Sequence, residues 1–370
     1  MDASELQATR TAPPSGGFDV WRRRRSSFAL VMAGLGVLVA VSVTLSLGIG
    51  PVRIAPGEVW RIVVHRVLPG LLDPDWAPVR ERILLEVRLP RVLLGAVVGA
   101  GLSVVGVTLQ ALVRNPLADP HIIGITEGAS VGATAVLLLG LSPFGVYSLS
   151  AAAFLGAFGA LALVYMLAQR GRRLSAMRLI LAGVAVAYLL SATTSFLIFQ
   201  AATGGDATRL VVFWLLGGLG AAQWSILALP AAAVAGGAVF LVLRARGLDA
   251  LLVGEETAAS LGVDTSRFRK QLFVAVSLLA GVMVAVAGGI GFVALMMPHI
   301  VRLLVGSAHR RVLPAAALAG AVFLVWADVL ARTLFAPEEL PIGIITAFCG
   351  APFFIWLMRS RRSGRMGSPL

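Results

Sequence analysis

The chain has 370 residues, of which 58% are hydrophobic and only 13% charged, with a mean hydropathy of +0.90. Soluble domains carry about 25% charged residues, so an ordinary soluble protein is excluded. A net charge of +13 would suggest nucleic acid in a soluble chain; here the basic residues sit between apolar runs, which excludes that partner and fits membrane orientation instead.

Residues 1–25 form a tail rich in Ser, Thr, Pro and Gly, a composition expected to be disordered. Arg22 to Arg25 then lead into an uncharged run from Phe28 to Gly50. That run exceeds the roughly 7–15 apolar residues of a signal peptide and lacks a small-residue cleavage site, so it reads as an uncleaved first helix. Runs near 20 residues, each able to cross a hydrocarbon core of about 30 Å, recur along the chain. Ten spans are predicted at 28–50, 92–113, 121–140, 146–168, 174–200, 224–243, 271–291, 297–306, 313–334 and 341–358. The alternating ten-residue segments of a β-barrel are missing from the sequence. Backbone groups in lipid must be bonded internally, so the expected fold is all-α, a polytopic bundle in one membrane domain over 26–360, followed by a tail at 361–370.

The eighth span is too short to cross alone and must satisfy its ends against protein or a water-lined cavity. Residues 208–220 read as a short outer helix or a re-entrant piece. Ten crossings put both termini on one side; if that side is cytoplasmic, 22 of the 31 Lys and Arg residues lie inside and 9 outside. The first outer loop resists this rule with seven arginines from Arg53 to Arg91, partly offset by Glu58, Asp73, Asp75, Glu81 and Glu86. Pro120-His121-Ile122 opens the third span and Pro298-His299-Ile300 the eighth, an echo of the kind that inverted repeats produce.

No Gly-rich phosphate loop precedes the only lysine, Lys270, so ATP bound by that route has to sit on another subunit. His65, His121, His299 and His309 are scattered without metal-ligand spacing, and Cys349 is the single cysteine, a small packing residue. No catalytic group, metal or cofactor is expected. The connector from Arg244 to Lys270 contains Leu251-Leu-Val-Gly-Glu-Glu-Thr-Ala-Ala-Ser-Leu-Gly262. Glu255 and Glu256 suit the positive end of a short helix and Gly262 its termination; Ala258, Ala259 and Leu261 give it a small apolar face. By itself this is either a solvated surface helix or a docking element.

Arg88 and Arg91 flank Pro90, which is expected to delay entry into the second span; Arg332 ends the ninth span on the same face. They are either helix anchors that snorkel or a carboxylate-binding surface. Asp328 lies four residues before Arg332 and therefore on its helix face, so pairing between them is expected ahead of proton transfer. Gln110, Asn115, Glu127, Arg302 and His299 are further polar groups near span ends, suited to bracing helices or to touching a ligand. An ion-coupled carrier using Asp328 and Glu127 is the alternative from these residues; a membrane enzyme lacks any catalytic constellation.

Arg88-Leu-Pro-Arg91, Gln110 with Arg114-Asn-Pro-Leu-Ala-Asp-Pro120, Gly254-Glu-Glu256, Pro298-His299 and Glu339-Leu-Pro-Ile-Gly343 occur in one order. In them the chain, over roughly 28–359, resembles the FecCD-type permeases of iron-siderophore, haem and vitamin B12 ABC importers. The resemblance implies two related halves, spans 2–5 and 7–10, and a bacterial inner-membrane location with both termini cytoplasmic. It implies three partners: an ATP-binding subunit, a periplasmic or lipoprotein substrate-binding protein, and a second permease copy, identical or paralogous. The ligand it implies is a ferric siderophore first, then haem or vitamin B12. It implies that the segment at about 247–265, with Gly254, Glu255, Glu256, Ala258, Ala259, Leu261 and Gly262, docks the ATPase as a pair of short helices. It also implies that Arg88, Arg91 and Arg332 face carboxylates of the binding protein, and that Ala327-Asp328 matches a family pair.

Overall fold

The computed structural model describes the backbone of residues 16–71, 74–170, 173–174, 176–201 and 205–363, and side chains within 27–359 outside 72–73, 170–176 and 202–206. In chain order the helices are α1 (Gly16–Gly48), α2 (Pro56–Val67), α3 (Pro78–Arg82), α4 (Leu89–Val113), α5 (Ile125–Leu139) and α6 (Ser148–Ala168). They continue with α7 (Ala176–Gln200), α8 (Gly205–Leu215), α9 (Trp224–Leu243), α10 (Ala245–Val253), α11 (Glu255–Ser260) and α12 (Thr265–Ala287). The last are α13 (Val293–Val305), α14 (His309–Thr333) and α15 (Ile342–Ser363). The only sheet among the described residues is a ribbon of two-residue strands, Gln169–Arg170 against Arg173–Leu174.

Among the described residues, eight helices are long and apolar enough to cross a membrane, and α5 and α13 are shorter apolar helices, so all ten expected spans have a helix. The third span, 15 residues, is nearly as short as the eighth, 13 residues. Its first residues, Pro120–Ile123, form a 3-10 turn, and Gly124 at φ 75° breaks the chain before α5. The 15 residues of α5 reach about 22 Å, less than a hydrocarbon core. The two short helices hold the second place in each expected half. Where the seventh span was expected to reach 291, α12 stops at Ala287 and Gly288–Phe292 is not helical. Residues expected at 208–220 form α8 and the loop after it.

Three expectations need correction. Pro90 does not delay helix entry: the chain is helical without interruption from Pro78 to Val113. The wider π-helical turn at Ile83–Arg88 precedes the proline, and such bulges accommodate a missing N–H within a helix. The Pro-His-Ile echo is not a structural one, because the first copy is a 3-10 turn and the second lies inside α13. Helix α1 starts at Gly16, within the expected tail; residues 1–15 and 364–370 lie outside the described residues.

The core is α4, packed against α14, α12 and α13, while α5, α6 and α7 form a second group joined through α6–α12 contacts. Burial takes 78% of the apolar stretch of α4 but 6% of that of α1, so α4 is a central post and α1 a peripheral helix. Small residues make the close approach possible, since membrane helices associate through packing of backbone on backbone. Gly99 on α4 lies against Gly320 on α14, and Gly106 against Ala294 on α13.

Candidate functional site

At the end of the bundle where α4 begins and α14 finishes, helical spacing puts Arg88 and Arg91 on one face and Asp328 and Arg332 on another, and the two faces meet. Arg91 Nε donates to Asp328 Oδ1 at 2.9 Å, and both its terminal nitrogens donate to Glu339, each at 2.9 Å. Arg332 Nε lies 3.4 Å from Asp328 Oδ2, and Arg332 also donates to the Ser46 carbonyl at 2.5 Å and to Ser46 Oγ at 2.9 Å. Arg88 donates to the Leu47 carbonyl at 2.8 Å and to the Val52 carbonyl. Gly50 is close by: a Cβ there would stand 2.7 Å from an Arg88 nitrogen and 3.4 Å from one of Arg332.

The expected pairing of Asp328 with Arg332 is present, and Arg91 is a second partner. The three arginines form a different object from an open patch. Arg88 and Arg332 are 5% exposed and bonded to the chain end of α1, so they tie α1, α4 and α14 together. Only the Arg91 fork reaches the surface, through Glu339, whose side chain is 45% exposed. A recess of about 780 Å³ opens on the same face, lined among others by Leu45, Arg53, Glu58, Arg80 and Ala336.

Within the bundle, chain breaks satisfy one another. The Gly218 N–H donates to the Ala287 carbonyl at 2.8 Å, that of Ile342 to Gly217 at 2.9 Å, and that of Gly343 to Leu216 at 3.0 Å. The ends of α8 and α12 and the start of α15 therefore close as one irregular joint, as backbone inside a membrane bundle must. Close backbone approach selects glycine here: a Cβ at Gly288 would lie 2.2 Å from the Trp214 carbonyl oxygen. His121 lies beside this joint and 3.3 Å from Glu127 Oε1 through Nδ1, while Glu127 Oε2 is buried. Gln110 accepts from Arg302 at 2.6 Å and donates to the Leu295 carbonyl at 3.4 Å, bracing α4 against α13. His299 Nε2 sits 3.1 Å from the Pro116 carbonyl oxygen. Asn115 accepts from the Leu117 N–H at 2.9 Å and shapes the turn after α4.

The opposite end of α4 and α14 carries the connector. Here α10 and α11 form a pair of short helices separated at Gly254, with Gly262 at φ 82° closing the second. Ala258 is buried, while Glu256, Ala259 and Leu261 are exposed. Glu255 reaches back to the bundle: it lies 2.6 Å from Arg269 on α12 and 3.6 Å from Arg114 at the end of α4. Asp249 on α10 meets the first residue of α14, accepting the His309 backbone N–H at 3.0 Å and lying 2.6 Å from its Nδ1. Burial alone would raise the Asp249 carboxyl, but the bonds from the His309 side chain and backbone together hold it below its ordinary range.

Sequence reasoning missed Ser46, Arg269, Asp249 and the joint at 217, 288 and 342. One signal for Asp249 existed: Ala308, which precedes α14, has no side chain able to cap a helix.

Over residues 38–360 the chain matches the FecCD transport family. It is 41% identical over 329 residues to the cobalamin import system permease protein BtuC of Halobacterium salinarum, covering 88% of this chain and 86% of that one. It is 38% identical over 339 residues to the hemin transport system permease protein HmuU of Yersinia pestis, covering 90% and 97%. Among solved structures, a chain described as a metal-chelate type ABC transporter in an inward-facing conformation superposes with a TM-score of 0.79 at 34% identity, covering 90% of this chain and 99% of that one. With ten apolar helices in place and the family match running through all of them, this chain belongs to the FecCD transport family of ABC transporter permeases.

Proposed function

We propose that the chain is the permease subunit of an importer for ferric siderophores, with the Arg91 end facing outward and both termini in the cytoplasm. The observation that carries the permease reading is the pair α10–α11, exposed at Glu256, Ala259 and Leu261 yet tied to α4, α12 and α14. Such a pair suits a surface pushed by a separate ATPase. The excess of basic residues at that end supports the orientation. The chain's relatives include permeases named for cobalamin, hemin and Fe(3+)-citrate, and the ferric siderophore is the ligand proposed first among these metal chelates. A second copy, identical or paralogous, closes the path, and a substrate-binding protein delivers the ligand.

The test is uptake into proteoliposomes holding this chain, its ATPase and its binding protein. Radiolabelled iron bound to a hydroxamate siderophore should accumulate with ATP, and excess unlabelled cobalamin or haem should not compete. Competition by either would move the ligand to that class. The chain without its ATPase should hydrolyse no ATP.

On the outer face, Arg91 is the residue poised to meet a carboxylate of the binding protein, held in position by Asp328, which pairs in turn with Arg332. Glu339 already occupies its fork, so docking proceeds by exchange of one carboxylate for another. Glu339→Gln should tighten capture of the binding protein by about tenfold in low salt, the change worth one charge-assisted pair, and the gain should shrink in high salt. Unchanged affinity in low salt would assign Arg91 to helix anchoring alone.

A further inference from the structure

Helix α14 begins without a cap of its own. Ala308 supplies no side-chain acceptor, yet the His309 N–H is bonded, because Asp249 of α10 reaches it at 3.0 Å. The same carboxylate oxygen sits 2.6 Å from His309 Nδ1, and the His309 side chain is 1% exposed. Around this contact Leu248 and Leu251 of α10 share one buried cluster with Val312 and Leu313 of α14 and Val305 of α13. A helix N-terminus carries positive partial charge, so an incoming carboxylate holds it by charge as well as by the hydrogen bond. From that capped end α14 runs helical for 25 residues to Thr333, with Asp328 and Arg332 in its last turns.

We propose that Asp249 is a positioning residue for transport. As a cap supplied from another helix, it fastens α14 to the connector, so that displacement of α10 by the ATPase moves the helix whose far end holds Arg91 and the outer mouth. Glu255 does not take this place, because its contacts run to α12 and the end of α4. The proposal rests on the reading of α10–α11 as the ATPase-docking pair, and it adds the route by which their movement reaches the opposite face. The chemistry required is narrow. Asparagine keeps an oxygen that can accept the His309 N–H, and alanine keeps none.

The experiment uses the full complex in proteoliposomes and reads three quantities: co-purification of the ATPase, ATP hydrolysed, and ligand transported per ATP. Asp249→Ala should assemble with the ATPase and lower ligand transported per ATP by about five- to thirtyfold, the population shift that loss of a cap produces. Asp249→Asn should restore most of it. Wild-type transport per ATP in the alanine variant, or an asparagine variant as defective as alanine, overturns the proposal. Should Asp249→Ala fail to assemble, hydrogen exchange on the wild-type complex decides. Protection at His309 to Val312 should change together with that of α10 when ATP binds, and independent changes overturn the proposal. If the wild-type chain does not bind the ATPase at all, it is the docking reading that fails, a distinguishable result.

Discussion

Alanine at Asp328 is expected to destabilise the protein by about 3–5 kcal/mol, the cost of removing one partner from a buried ion pair. Its carboxylate is 2% exposed and stands between Arg91 at 2.9 Å and Arg332 at 3.4 Å. Arg88 adds a third guanidinium near Arg332, both within reach of the space beside Gly50. Three positive groups then face Glu339 as the remaining carboxylate, and Glu339 lies at the surface. Asp328→Asn should fall between wild type and alanine, since it keeps acceptor oxygen but not charge. Thermal and denaturant unfolding of the purified chain in lipid nanodiscs measures this. A loss under about 1 kcal/mol, typical of one hydrogen bond between membrane helices, would mean that the cluster is ordinary helix bracing and no charge clamp.

The second large effect is expected at Gly106. A Cβ built there would lie 1.8 Å from the Ala294 carbonyl oxygen, 2.5 Å from its carbon and 2.8 Å from its Cα. All three are backbone atoms, so no rotamer change relieves the clash and α13 must move away from α4. Overpacking costs about 1–3 kcal/mol where side chains can shift, and Gly106→Ala should exceed that range. The Gln110 contacts to Arg302 and Leu295 lie one turn further along α4 and should loosen with it. Gly159→Ala is the control: it lies within α6 with nothing within 4 Å of the added methyl, and replacing a mid-helix glycine should gain about 0.5–1 kcal/mol. If Gly106→Ala unfolds at the same temperature as Gly159→Ala, the close contact of α4 and α13 is not present in the membrane-embedded protein.

The sequence by itself determined the parts of this protein whose physics is local. An apolar run of about 20 residues has one stable state in lipid, a helix, and nine such runs and a shorter tenth were legible at nearly their observed positions. The short connector helix opened by Glu255 and closed by Gly262 was legible for the same reason, because end charge and positive φ act within one turn. Local reading failed at Pro90, where a π-helical turn upstream keeps the helix continuous; proline chemistry alone does not reveal that turn.

What only the tertiary structure decided are the partners of the polar groups. Arg88, Arg91 and Arg332 read equally well as anchors or as an open docking patch. In the fold Arg88 binds Leu47, Arg91 binds Asp328 and Arg332 binds Ser46, partners that lie from 41 to 286 residues away. Asp249 and His309 are 60 residues apart; Ala308 signals a missing acceptor at the start of α14 but not which residue supplies it. An apolar residue is placed by its free energy of transfer, a property of its own side chain. A buried charge is stable only with a partner, and that partner is chosen when the helices pack.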